Sequence, residues 1–346
     1  MLEPMILHRI PTPRPRRRPA AIMGDESPAP AVLPVPGWLR GAVGGDRTLA
    51  AQGLDDVALA AGAAIATLDA TVRRHARWEG VWRQRLALSA AAMTARAAGR
   101  IEDEAALRDA VLLTKAGDDV GPAGRMFLGW RRLAARPAAE LLGEAGIAGV
   151  VEDFGHAAGD DEAVGGLARE MRRLADGARV AGAAAAAFAA AERHGFGPAL
   201  GAWLADALLA RQLGWAHAMP LLGMEAAPRP GRKRGASGVI ETPGMETEAD
   251  RTKRLLAAQA RAALRAVDLF AELGRRAERL VAIAPKLRAK ASGAVVESLF
   301  SQDALVASQT IAGISDRGLR RLFDRLTELG AVRELTGRPT FRIYGL

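Results

Sequence analysis

Six of the seven arginines between residues 317 and 342 form the set of side chains best suited to binding a ligand. They are Arg317, Arg320, Arg321, Arg325, Arg338 and Arg342. Guanidinium groups presented by a helix and a nearby loop can bind the phosphates and base edges of DNA. The pattern favours a DNA-binding surface. The alternative is a solvated helix face on which Asp324 and Glu328 pair with these arginines.

The first four arginines fall within a predicted helix that runs from a Ser315 cap to Glu328. A serine oxygen at this position accepts a free backbone amide, and the following Asp316 complements the helix dipole. The apolar positions form a separate face: Leu319, Leu322, Phe323 and Leu326. Such a helix has one side for a core and another for a polyanion, which is what a recognition helix requires.

The residues around this helix predict a winged helix-turn-helix over 285–346. Two helices are expected before it, over 288–300 and 303–312, with a turn at Gly313. Alternating residues after Gly330 predict two strands, 331–334 and 340–344, joined by a turn that places Arg338 at the tip of a wing. In this arrangement the third helix docks in a major groove, and Arg338 reaches a neighbouring groove.

Other chemistry-bearing residues form no motif. Asp118 and Asp119 suggest a metal or acid–base site, but their spacing fits a loop that caps the next helix better. An enzyme using Asp109 with these acids is the third hypothesis. The five histidines lack ligand spacing, and the chain has no cysteine. We therefore expect no catalytic residues, no cofactor and no metal.

The rest of the chain predicts a mainly α-helical protein. A basic, proline-rich and disordered tail is expected over 1–45, a helical body over 46–222, a linker over 223–250 and a long helix over 251–284. Within the body, the glycine-rich stretch 143–166 predicts a loop or weak helix, and one helix is expected over 167–193. Tryptophans in or beside these helices are expected to pack in the core. They are Trp78, Trp82, Trp130, Trp203 and Trp215.

Composition restricts the class of protein. The formal charge of +9 suits a polyanionic partner. An arginine-, alanine- and glycine-rich composition also follows from a GC-rich genome, so the location of charge carries more information than its sum. The longest apolar run, 180–191, is too short to span a bilayer. The absence of cysteine and of an export signal predicts a cytoplasmic protein without membrane contact.

Two resemblances add to this interpretation. The string from Arg321 to Tyr344 resembles the winged-helix tail of many bacterial Fic-family proteins and transcriptional regulators. Over nearly its whole length, including 105–110 and 117–125, the chain resembles an alphaproteobacterial, often plasmid-borne family of unknown function. The Fic catalytic loop is absent around His156 and His194, so the resemblance to Fic-family proteins does not imply transfer of AMP.

These observations lead to two hypotheses about function that stand ahead of the enzyme. The first is a transcriptional regulator that binds double-stranded DNA through the winged helix, while the helical body senses a signal or forms a homodimer. The second is an accessory protein of plasmid maintenance or transfer, whose body binds protein partners.

Overall fold

The fold is mainly helical, as the alanine-rich composition predicts. The computed structural model describes residues 34–44, 49, 52–115, 117–156, 161–177, 180–225, 247–287, 292–311, 313–338 and 340–346. Most of the predicted tail lies outside these residues, although a helix occupies Gly37–Val43 near its end. Residues 226–246 of the predicted linker also lie outside them. Residues 34–346 cluster into one unit.

Thirteen α-helices occur within the described ranges. They are α1 (Gly37–Val43), α2 (Leu54–Val72), α3 (Glu79–Ala97), α4 (Glu104–Leu112), α5 (Gly121–Ala135), α6 (Ala138–Leu141), α7 (Glu144–Asp153), α8 (Asp161–Asp176), α9 (Ala183–Arg193), α10 (Pro198–Leu213), α11 (Glu248–Ile283), α12 (Ser292–Ser301) and α13 (Asp316–Glu328). Short 3₁₀ turns cover Leu222–Met224 and Ala284–Lys286. No described helix has the length and continuous apolar sequence that a membrane span requires.

A small antiparallel sheet lies in the C-terminal region. Its strands are β1 (Leu305–Val306), β2 (Arg333–Glu334) and β3 (Ile343–Gly345), in the order β1-β3-β2. Tyr344 in the central strand is opposite both Leu305 and Glu334. The hairpin of β2 and β3 lies where the sequence predicts one, but its strands are shorter than the predicted 331–334 and 340–344.

The long helix α11 is the main support of the helical region. It begins at Thr247, whose hydroxyl accepts a hydrogen bond from the Asp250 amide at 3.1 Å. A local cap of this kind stabilises a helix by about 1 kcal/mol. The apolar face of α11 packs along α2, and Trp82 of α3 donates to the Ala266 carbonyl at 2.9 Å. The helix therefore joins several parts of the core.

Small side chains allow the remaining helices to approach closely. The alanine-rich α9 packs against α10, and α3 packs against α5. Trp130 and Trp203 are fully buried, and their indole N–H groups donate to Thr94 Oγ1 and the Gly129 carbonyl. The predicted core role is thus confirmed for Trp82, Trp130 and Trp203, with their polar atoms satisfied.

The structure decides between two alternatives for one stretch of the helical region, and the prediction for another stretch is wrong. The stretch 143–166, predicted as a loop or a weak helix, contains α7 and the start of α8 because Ile147, Val150 and Val151 are buried on one side of a regular helix. The single helix predicted over 167–193 is two helices. It breaks between Asp176 and Ala183, where Gly177 and Gly182 weaken helical propensity at both ends of the interruption.

The helix predicted over 303–312 is also wrong. Asp303 lies in a bend, Leu305 and Val306 form β1, and the following residues up to Ile311 are turn or irregular backbone. Leu305 and Val306 pair with β3, which satisfies backbone groups of β1. Because β3 is distant in the sequence, this pairing leaves no local helical or strand signal.

Candidate nucleic-acid interface

Helix α13 has the two faces that its sequence predicts. Ser315 caps it by accepting a hydrogen bond from the Gly318 amide at 3.2 Å. The inner side chains are buried: Leu319, Leu322, Phe323 and Leu326. The Phe323 ring stacks on Tyr344 of β3 with 4.4 Å between ring centroids and an angle of 3°. This stack fixes the inner face of the helix against the sheet.

The opposite side of α13 presents unpaired cations. Arg317, Arg320 and Arg321 are exposed. None of the three forms an ion pair or hydrogen bond through its side chain with any residue that the structure describes. Because no carboxylate in the described part of the chain pairs with them, these guanidinium groups keep their hydrogen-bond donors available for an external anion.

The other three predicted arginines already have partners. Arg325 pairs with Glu328 at 3.1 Å, where both side chains are more than half exposed. Arg342 lies 3.9 Å from Asp324, also at the surface. Exposed pairs of this kind contribute at most about 1 kcal/mol, so a phosphate can compete for either arginine.

Arg338 occupies the predicted hairpin turn but faces the helical region. Its Nη2 lies 2.7 Å from Oδ2 of Asp109 in α4. The base of the hairpin is also fixed, because Glu334 accepts hydrogen bonds from the Thr336 and Gly337 amides. The expected reach of Arg338 toward a neighbouring groove therefore requires that the contact with Asp109 breaks.

A groove runs between α13 and the segment that leads into β3. It encloses about 400 Å³, and Arg320, Phe341 and Arg342 are among its lining residues. Phe341 is 68% exposed and has a φ of 55°. A bulky residue rarely adopts this left-handed conformation, and strained residues are concentrated at functional sites. Sequence reasoning missed Phe341 because an aromatic residue in a predicted strand indicates core packing.

A buried ion cluster joins this region to the helical core. The Asp303 carboxylate accepts a hydrogen bond from Arg108 Nε at 2.6 Å and another from Arg85 Nε. Burial raises the pKa of Asp303, but the two guanidinium groups outweigh burial and hold that pKa below its usual value. The charged form of Asp303 therefore positions β1 on α3 and α4.

Close packing reinforces this attachment. Helix α12 packs on α3 at Gly80, where a Cβ atom would lie 2.7 Å from the Ser301 Cα. The sheet residues Ala304, Val306 and Ile343 contact Leu112, Leu113 and Leu335. The orientation of α13 is thus fixed with respect to the helical region rather than left to a loose connection.

The acidic residues considered for metal or acid–base chemistry are not brought together. Asp119 accepts a hydrogen bond from the Gly121 amide at 2.9 Å, in the capping role expected from sequence, and lies 4.0 Å from Arg125. Asp109 pairs with Arg338 instead. In the part of the chain that the structure describes, no three histidine or acidic residues are grouped as metal ligands.

Fold and site together define a mainly helical protein that carries a cationic helix packed on a small antiparallel sheet. The model of the family described as "Protein of unknown function (DUF1403)" matches residues 25–346. The chain belongs to this family. No curated protein and no solved structure matches the chain.

Proposed function

We propose that residues 292–346 form a winged helix that binds double-stranded DNA. The observation that carries this proposal is the row formed by Arg317, Arg320 and Arg321, which is exposed and has no partner among the described residues. The order of α12, β1, α13 and the β2–β3 hairpin supports it. In this arrangement α13 docks in the major groove with its arginines at phosphates and base edges.

Local charge supports the same function. The described residues from 313 onward include seven arginines and four acids, which gives a net positive charge of three. Binding therefore combines a few specific contacts with an electrostatic term that weakens as salt increases. Because this unit is attached to a larger helical region, regulation of transcription is the role that we propose for the whole protein.

The decisive experiment measures binding of the full chain to duplex DNA over a range of salt concentrations. Replacing Arg320 and Arg321 together by Ala is expected to weaken binding at least about tenfold. The log–log salt slope should fall by about 0.9 for each phosphate contact that is lost.

Arg172 and Arg173 provide a matched control, because they are also adjacent and exposed, on α8. Their double Ala variant removes the same charge and should bind nearly as well as the unmodified protein. Equal affinities for the two double variants would show that α13 is not the recognition helix. Absence of salt-dependent binding by the unmodified chain would contradict the proposed function itself.

The contact between Arg338 and Asp109 gives a second prediction. In Asp109→Asn the guanidinium group loses its charged partner and becomes available to a phosphate. DNA binding should then tighten several-fold, since the half-exposed Arg338 no longer pairs with the partly buried Asp109, and the salt slope should become steeper by about 0.9.

A double variant separates this effect from a general change in charge. Adding Arg338→Ala to Asp109→Asn should cancel the gain, because the freed side chain is then missing. If the gain persists in the double variant, the hairpin turn does not contact DNA through Arg338.

A further inference from the structure

An apolar cavity lies inside the helical region, apart from the arginine surface. It measures about 290 Å³, is partly open to solvent and is lined by α3, α5, α9, α10, α11 and the turn at Leu222–Met224. Its apolar wall includes Met93, Met126, Phe154, Phe188, Leu222 and Leu255. This volume is close to the lower end of the range of small-molecule sites, and such sites are lined mainly by apolar and aromatic groups.

The few polar groups of the cavity limit the chemistry of its occupant. The His156 imidazole packs perpendicular to the Phe196 ring, with 5.3 Å between ring centroids, and makes no hydrogen bond to any residue that the structure describes. Thr94 Oγ1 is already engaged, because it accepts from Trp130 and donates to the Ala90 carbonyl. The Glu225 carboxylate accepts from Arg261 at 2.9 Å and also pairs with Arg265. His156 is therefore the polar group best placed to bind a ligand.

The wall at Leu222 is held in place by a buried acid. Asp206 accepts hydrogen bonds from the Leu221 amide at 2.7 Å and the Leu222 amide at 3.0 Å. The next residue, Gly223, lies so close to Trp130 that a Cβ atom would be 2.3 Å from the indole ring. Firm packing on this side means that the space is a preformed feature of the fold and not a loose region of the core.

We infer that this cavity is a binding site for a small, neutral, largely aromatic molecule that carries one hydrogen-bonding group. Apolar walls select the ring system because burial of hydrocarbon surface is favourable. His156 bonds the polar group and thereby orients the ligand. A charged ligand is disfavoured, since Glu225, the one carboxylate among the described residues of the wall, is already paired with arginines and most of the other described lining is apolar.

The test uses the full chain and N-phenylnaphthylamine, a neutral aromatic probe that fluoresces in apolar surroundings. We expect saturable binding and energy transfer from Trp130, which borders the wall at Gly223 and Phe154. Two changes that fill the space from different helices, Ala199→Leu in α10 and Met93→Phe in α3, should each weaken binding by roughly tenfold. Both residues are half buried, which makes the larger side chains tolerable.

Ala189→Leu is the matched control, because Ala189 is also half buried and lies on α9 without lining the cavity. It should leave probe binding unchanged. Thermal unfolding of each variant shows whether the fold is intact. If both filling variants bind the probe as the control does, or if the probe binds without saturation, the inference is overturned. The measurement involves no DNA, so its outcome is independent of the proposed function.

Discussion

Replacing Asp303 by Ala is expected to lower the free energy of unfolding by about 3–5 kcal/mol. The variant leaves the guanidinium groups of Arg108 and Arg85 without a counter-charge. The side chain of Arg108 is only 8% exposed, so water cannot replace the lost carboxylate. The expected cost is mainly that of an uncompensated buried charge and not the strength of one hydrogen bond. Urea unfolding of the full chain measures it.

Asp324→Ala is the matched control in the same region. Its carboxylate is more than half exposed and lies 3.9 Å from Arg342. It should therefore cost less than about 1 kcal/mol. A loss for Asp303→Ala no larger than the loss for this control would contradict the anchoring role of Asp303.

The pH dependence follows from the lowered pKa of Asp303. A carboxyl group whose pKa is depressed on folding stabilises the protein above its unfolded pKa. That contribution disappears as the pH falls through the lower, folded value. The Asp303→Ala variant should therefore show less acid destabilisation than the unmodified chain.

Asp206 should produce the opposite pH dependence. It is completely buried, and burial raises the pKa of Asp206 to about 7, although the Leu222, Leu221 and Gly223 amides oppose the shift. The folded protein therefore holds this proton more tightly than the unfolded chain. The stability that comes from Asp206 is fully present below its unfolded pKa and is lost as the pH rises through about 7.

Between pH ~4 and pH ~7 the free energy of unfolding is expected to fall by about 4 kcal/mol. This value follows from the shift in the pKa of Asp206 at about 1.4 kcal/mol per pH unit. Free energies of unfolding measured across this range should show the decline for the unmodified chain. Asp206→Asn cannot titrate, so its curve should lack that component. The variant should also be less stable at low pH, because one amide that donates to Asp206 loses its acceptor. Parallel curves for the two proteins would contradict a protonated Asp206.

The sequence predicts the exposed arginines of the candidate site but not their partners. The exposed arginines of α13 follow from spacing alone, since the alternation of leucine and arginine on a helix assigns its faces. Whether each arginine forms an ion pair does not follow from this spacing. Arg338 pairs with Asp109, which lies on α4, and no local pattern connects the two. Phe341 falls in a predicted strand, and only the structure shows its exposure and its left-handed backbone conformation.

Asp303 illustrates why contacts between distant segments could not be predicted from the sequence. As a residue type it fits an N-terminal helix position, and the helix predicted from it over 303–312 is wrong. Its partners Arg85 and Arg108 lie on α3 and α4, and burial of all three depends on how those helices pack. An ion pair of this kind leaves no periodic signal in the sequence, because neither partner is near in the chain.

The sequence by itself determined the mainly helical class, the presence of the long helix α11, the cap and two faces of α13, and the hairpin formed by β2 and β3. Each depends on hydrogen bonds or spacing within a few neighbouring residues, and such interactions are encoded locally. The tertiary structure alone decided the pairing of β1 with β3, the burial of Asp206 and Asp303, the engagement of Arg338 and the apolar cavity. These features arise where distant segments meet, and their energies depend on solvent exclusion that no single segment produces.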